Sequence, residues 1–213
     1  MNYAAFPTKG ERTRAHIVAS AAELFWERSF NGVSVDEIAS AAGVNKATVY
    51  RYFADKADLA LASARYHGIR TLEEMFEENF RQNSKPEQRL AAIYGYAYCA
   101  NVEMKQAKGD LLGCPVIGLV LELSFEMPQI RDEASQIFMQ VEKYLEEIAR
   151  DAIAAGRVTG SPKTLARSLM QLLHGAFSSS RIAAEPEQIL DAGHTSLAII
   201  GYPETRIPAL SDA

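Results

Sequence analysis

The sequence has little of what builds a covalent or metal-held scaffold. Its 213 residues include two cysteines, Cys99 and Cys114, too few for a disulfide framework and without a metal-ligand spacing. Four histidines, His16, His67, His174 and His194, are scattered with no helix-spaced pair, so neither a metal nor a cofactor is expected. Long apolar runs are missing: the longest mainly apolar stretch, residues 114 to 123, contains Pro115, Gly118 and Glu122 and does not approach a membrane span. The opening MNYAAFPTKGERTR lacks the apolar centre of a signal peptide, so a cytoplasmic protein is expected. There is no glycine-rich phosphate loop and no nucleophile elbow. The acid pairs Glu77-Glu78 and Glu146-Glu147 fit solvated helix faces better than catalytic dyads, and an enzyme is not expected. Strand-like alternation is absent as well, so the chain reads as all-α.

What the sequence does have is one unusual stretch, residues 34 to 56, SVDEIASAAGVNKATVYRYFADK. Ser34 with Glu37 three residues on is a capping box, and Ile38 and Ala42 give the helix that follows a narrow apolar stripe. Gly43 closes that helix, because glycine tolerates the left-handed backbone of a helix end. Asn45 is a good N-cap for a second helix over residues 46 to 53. Val49 and Phe53 share one face of it and are expected to pack inward with Val44. The other face presents Lys46, Ala47, Tyr50 and Arg51, with Thr48 and Tyr52 beside them, and no acid lies between Asn45 and Ala54. Two cations, hydroxyls and phenols without an acid suit phosphate oxygens, and arginine can read guanine edges. A short helix carried across a tight turn by a partner is the helix-turn-helix arrangement, whose second helix enters the major groove.

The net charge of −5 argues at first against a nucleic-acid partner. Its distribution reverses that argument. Residues 1 to 64 carry seven basic and seven acidic side chains, so the remainder holds the whole excess. Before the motif, residues 1 to 8 read as an arm stopped by Pro7. Ile17, Ala21, Leu24, Phe25 and Arg28 then fall on helical spacing over residues 9 to 29. Lys9, Arg12 and Arg14 at its start suit either phosphate contact or a solvated helix end. After the motif, Asp55 can cap a long helix over residues 56 to 81, and Pro86 suits the first turn of the next. Further helices are expected over residues 87 to 108, 129 to 155, about 163 to 183 and 187 to 200. Residues 110 to 127 look irregular, and the tail after Gly201 looks loosely ordered.

Residues 9 to 60 resemble the tetracycline-repressor (TetR) family of bacterial regulators. The resemblance rests on Phe25, Ser34-Val35, Ile38-Ala39, Ala42-Gly43-Val44, the block Tyr50-Arg51-Tyr52-Phe53, and Lys56-Ala57-Asp58-Leu59, in order and at fixed spacing. It implies a three-helix DNA-binding domain at residues 9 to 60 and a larger helical effector-binding and dimerisation domain at residues 61 to 201. The implied function is a sequence-specific regulator, chiefly a repressor, released from a palindromic double-stranded operator by a small molecule. Two alternatives stand beside it: an activator, and a ligand-binding helical dimer that binds no operator. Phosphate contacts are expected from Lys46, Tyr50, Tyr52 and Lys56, and base-edge contacts from Asn45, Ala47, Thr48 and Arg51, with Thr48 suited to either role. Ser34 and Val35, opening the first helix of the pair, complete the DNA-binding set.

Two readings are expected of residues 61 to 201. Small residues such as Ala166, Ser168, Gly175, Ser178 and Gly193 among Leu and Ile suit either a dimer interface through the last two helices or an ordinary internal pair. Tyr94, Tyr98, Cys99, Met104, Cys114, Phe125, Phe138 and Met139 suit either the lining of an effector pocket or a normal core. Cys114, ahead of an apolar segment, suits a thiol sensor or a small buried hydrophobe. No effector can be named from these residues.

Overall fold

The computed structural model describes residues 8 to 208. Of the arm expected at residues 1 to 8, residues 1 to 7 lie outside the described residues; no strand occurs among the described residues. The helices are α1 (Lys9–Arg28), α2 (Val35–Ala41), α3 (Lys46–Tyr52) and α4 (Lys56–Arg70). A π-helical segment (Thr71–Glu77) follows, then α5 (Glu78–Gln82), α6 (Pro86–Lys108), α7 (Pro115–Leu123), α8 (Pro128–Ala154), α9 (Pro162–Ala183) and α10 (Glu187–Ile199). They form two compact units. The first takes the chain up to Gly68 together with Pro115–Ala134, and the second takes Ile69–Cys114 together with the chain from Ser135 on.

The first unit is begun by local signals. Thr8 and Glu11 form a capping box that opens α1, and Ser34 and Glu37 form another that opens α2. Gly43 turns the chain with φ +61°, and Asn45 caps α3. Asp55 Oδ1 accepts from the Asp58 backbone N–H at 2.8 Å to open α4. Ile17, Phe25, Ile38, Val49, Phe53 and Leu59 then share one core. That core also contains Leu119 and Leu123 of α7 and Ile130 of α8. The segment expected to be irregular is therefore a nine-residue helix, and it packs with the N-terminal helices. Pro115 starts it, because the missing N–H costs nothing in a first turn.

The second unit is built on α6, α8, α9 and α10, whose apolar stripes meet around Tyr94, Leu145, Leu169 and Leu197. Arg89, its side chain only 14% exposed, ties the turn before α6 to α8. Its guanidinium reaches Glu147 at 3.0 Å, Asp151 at 3.1 Å and the Asn83 carbonyl at 2.9 Å, and it lies over the Phe80 ring at 4.5 Å. The π-helical segment replaces part of the uninterrupted helix expected to residue 81, and its Met75 and Phe76 are buried. Asn79 Nδ2 donates to the Met75 carbonyl at 2.7 Å just beyond it.

The tail is also a correction. Residues beyond Gly201 are expected to be loose; 209 to 213 lie outside the described residues, but over 202 to 208 the Tyr202 N–H returns to the Leu197 carbonyl at 2.9 Å and Ile207 is 5% exposed within the core. A Cβ on Gly193 would stand 2.5 Å from Ile207 Cδ1, so a residue without a side chain is what lets this strap seat. Replacing a buried isoleucine by alanine costs about 2–5 kcal/mol. Ile207→Ala is expected to fall in that range by urea denaturation. A change below about 0.5 kcal/mol, the size of an ordinary surface substitution, would show that the tail does not dock.

Candidate nucleic-acid interface

α3 is oriented by what it buries. Val49 and Phe53 are 2% and 1% exposed, which turns Asn45, Lys46, Ala47, Tyr50 and Arg51 outward, with Thr48 and Tyr52 half-buried at the margin. Asn45 Oδ1 accepts from both the backbone N–H and the hydroxyl of Thr48, at 2.8 and 2.9 Å. Asn45 and Thr48 are thus partly committed to building the helix start. The Arg51 guanidinium lies over the Tyr52 ring at 4.9 Å and donates to its hydroxyl at 3.3 Å. No carboxylate among the described residues pairs with it. Arg51 is accordingly an aligned, unneutralised cation on an exposed helix face, suited to an anionic or guanine-edge partner.

Three expected contacts are placed differently. Val35 is 8% exposed and belongs to the core, because the first residue of α2 faces α1. Ser34 is exposed, but its N–H and hydroxyl both go to Glu37 Oε2, at 2.8 and 2.7 Å. Those bonds, led by the Ser34 backbone N–H and joined by Arg28, hold the Glu37 carboxyl down at about 2. Lys56 lies with its ammonium 4.1 Å from the Phe30 ring centroid, and burial pulls its pKa down. A phosphate contact by Lys56 requires it to leave that seat. Arg14, near the start of α1, has its guanidinium 5.0 Å over the Phe53 ring.

Sequence reading missed one charge. The acid-free face is not free of acid in space, because Asp36 of α2 reaches Lys46 Nζ at 2.8 Å and raises its pKa. Asp36 lies ten positions upstream on the other helix, and helical spacing cannot relate residues across a turn.

Two of the residues expected to line an effector pocket stand at the surface. Phe125 is 94% exposed and follows α7 in the first unit, and Met139 is 53% exposed, so both fall outside the interior of the second unit. Phe125 lies past the last buried turn of α7, and Met139 sits on the face of α8 away from its buried stripe. Tyr94 is 1% exposed, its hydroxyl 2.7 Å from Ser196 Oγ, and burial pushes its pKa up to about 12. It is a satisfied core tyrosine. Tyr98, Cys99 and Cys114 are half-buried, and burial raises the Cys99 thiol. Phe138 meets His174 edge to face at 4.7 Å, and burial lowers the His174 pKa, favouring a neutral ring.

Two polar atoms of the second unit, which the sequence did not single out, remain unmet. Asn101 is 3% exposed; its Nδ2 donates to the Ala97 carbonyl at 2.8 Å, and its Oδ1 accepts from no protein group among the described residues. Glu142, one turn beyond Phe138 on α8, has a buried Oε1 in the same condition. Each orphan costs about 1–3 kcal/mol.

A three-helix unit whose outward helix carries cations and phenols, supported by a partner across a glycine turn, defines a helix-turn-helix DNA-binding protein. Residues 17–63 match the model of "Bacterial regulatory proteins, tetR family", and residues 86–195 match "Tetracyclin repressor-like, C-terminal domain". The chain belongs to the tetR family and is a DNA-binding transcriptional regulator. It is similar to the transcriptional repressor DhaR of Mycobacterium sp. strain GP1, 27% identical over 83% of this chain and 86% of that protein. It also resembles the transcriptional dual regulator CecR of Shigella flexneri, 35% identical over 43% of this chain and 39% of that protein. The fold is similar to the reduced form of E. coli NemR, with TM-score 0.77 and 23% identity over 91% of this chain and 100% of that one. No helix among the described residues is long and apolar enough to cross a membrane.

The Lys46–Asp36 pair is exposed and weak, so DNA phosphate should compete with Asp36 for the ammonium. Asp36→Asn is expected to raise affinity for duplex DNA about threefold at 0.15 M salt and to steepen its salt dependence. Anisotropy titrations across a salt series read both quantities, and unchanged affinity and slope would remove Lys46 from the phosphate contacts.

Proposed function

We propose that this regulator is a homodimeric repressor that holds a palindromic operator and is released by a small-molecule effector. The observation that carries the operator reading is the exposed face of α3, where Arg51 pairs with no carboxylate among the described residues and Tyr50 is 47% exposed. Arg51 and Ala47 are assigned to base edges, and Lys46 and Tyr50 to phosphates. Asn45 and Thr48 meet bases only through the capacity left after capping. Selection from random duplexes is the direct test: a preference of about 10³-fold over shuffled DNA is expected. Arg51→Ala should cost about 1–3 kcal/mol on the selected site and relax one position. Equal losses on selected and random DNA would remove Arg51 from base reading.

Two recognition helices must stand about one DNA turn, roughly 34 Å, apart, which requires a dimer. The proposed interface is the outer face of α9 and α10. Its support is Gly175: it is exposed, and a Cβ built there meets nothing within 4 Å in its own chain. An arginine at that position is therefore harmless to an isolated protomer and gains about 1 kcal/mol in helix propensity. Only a partner surface can oppose it. Gly175→Arg is expected to give monomers by light scattering, with undiminished thermal stability and lost operator binding; a stable dimer would move the interface elsewhere.

The effector belongs to the interior of the second unit in this reading. The unmet atoms there, Asn101 Oδ1 and Glu142 Oε1, are both acceptors. An effector bearing amine, amide or hydroxyl hydrogens matches them, whereas a carboxylate or phosphate would meet Glu142 with like charge.

A further inference from the structure

The turn between α1 and α2 is strained and is held from outside its own helices. Ser29 has φ +64° and ψ 165°, a backbone region used almost only by glycine. At Gly32 an added Cβ would stand 2.1 Å from the Arg28 carbonyl, so no other residue fits there without moving the backbone. Such a conformation persists only where its surroundings enforce it.

The enforcing group is a carboxylate some ninety residues away in sequence. Glu122, on the last turn of α7, spreads its two oxygens across two successive backbone amides. Oε2 accepts from the Phe30 N–H at 2.8 Å, and Oε1 accepts from the Asn31 N–H at 2.9 Å. The Lys56 ammonium, seated over the Phe30 ring at 4.1 Å, is attracted by Glu122 and by Glu37. Arg28 closes the other side, donating to the Gly32 carbonyl at 2.9 Å and pairing with Glu37 at 2.8 Å. Glu122, Lys56, Glu37 and Arg28 thus form an alternating set of charges around four residues of backbone, all within the first unit.

We propose that Glu122 is a positioning residue for operator binding: through the Phe30 and Asn31 amides it fixes the α1–α2 turn, and with it the orientation in which α2 presents α3. This rests on the operator reading above. It makes the DNA-binding unit incomplete in the first sixty residues, because one of its fastenings comes from α7. It also gives α7 a place in regulation. The chain enters α7 through residues 112–114, where Arg181 of α9 donates to the Leu112 carbonyl at 3.0 Å and Gly113 takes φ +71° against the Arg181 side chain.

Glutamine at position 122 is the sharp probe, because it keeps the shape and presents an NH2 where one backbone N–H needs an acceptor. In the full chain, Glu122→Gln is expected to lose about tenfold to a hundredfold in affinity for the selected operator, the scale of hydrogen bonds to a charged acceptor. Random-duplex affinity should stay within about twofold, since Lys46, the cation assigned to phosphate, is untouched. Amide hydrogen exchange should show Phe30 and Asn31 released while the interior amides of α1 and α4 remain protected. Operator affinity within about twofold of the parent would overturn the proposal. So would equal losses on operator and random duplex, the signature of a smaller folded fraction. Should the glutamine variant fold poorly, Glu122→Asp, one methylene too short to span both amides, is measured in the same three ways. The two readings fail separately: a parent protein without duplex preference in the titrations removes the operator, while Phe30 and Asn31 protection that survives Glu122→Gln in the exchange data removes the clasp.

Discussion

A helix of seven residues cannot hold itself in water, and α3 is that short. Ordering its backbone costs roughly 1–2 kcal/mol per residue. Burial of Val49 and Phe53 returns roughly 1.5–3 kcal/mol each, which is less than the whole. The deficit is met by the shared core of α1, α2, α4 and α7, to which α3 contributes one face. That division explains the outer face. Since packing consumes Val49, Phe53 and part of Tyr52, the outward positions are not needed for the core and are free to hold Lys46, Tyr50 and Arg51.

The parts of this unit that were legible in the sequence are those decided within four or five residues. Ser34 with Glu37, Gly43, Asn45 and Asp55 each act on a neighbouring backbone group, so residue type and spacing determine them. The illegible parts are decided across space. α7 looked irregular because Gly113, Pro115 and Gly118 read as breakers, although Val116, Leu119 and Leu123 already lie at helical spacing. Its partner core lies about ninety residues upstream, and nothing local points there. The same limit hid Glu122 and the Asp36–Lys46 pair, and it made Phe125 look like a pocket wall when it stands in solvent. An apolar residue signals burial only on average, and the exceptions sit at surfaces that composition does not reveal.

The long stretch after Lys56 shows a different failure. Leu72, Phe76 and Phe80 continue a helical stripe, so periodicity alone predicts one unbroken helix to residue 81. The backbone instead widens into π geometry over Thr71–Glu77, three residues after the first unit ends at Gly68. A π turn leaves the apolar face in place while shifting the residues beyond it, so the side-chain pattern hardly records it. Such segments are uncommon and tend to occur at functional positions. This one lies in the helix by which the DNA-binding unit leaves for the second unit.

Local rules are thus broken at a few identifiable places: the glycine-like backbone of Ser29, the π run, and the orphan acceptors of Asn101 and Glu142. The backbone strain and each orphan carry a cost on the order of 1–3 kcal/mol against a domain stability of about 5–15 kcal/mol. A chain selected only for stability would remove them by single substitutions, such as glycine at position 29 or leucine at position 101. Departures of this kind concentrate where function constrains the sequence. Here they mark the turn that orients the recognition helix, the helix that leaves the DNA-binding unit, and the interior assigned to the effector. A regulator needs two states of comparable free energy, and a coupling between sites of roughly 1–3 kcal/mol is enough to shift them. The strain and the orphans are each of that size. A donor that satisfies Asn101 and Glu142, or a movement that withdraws Glu122 from the strained turn, would therefore shift the balance by as much as such a regulator requires.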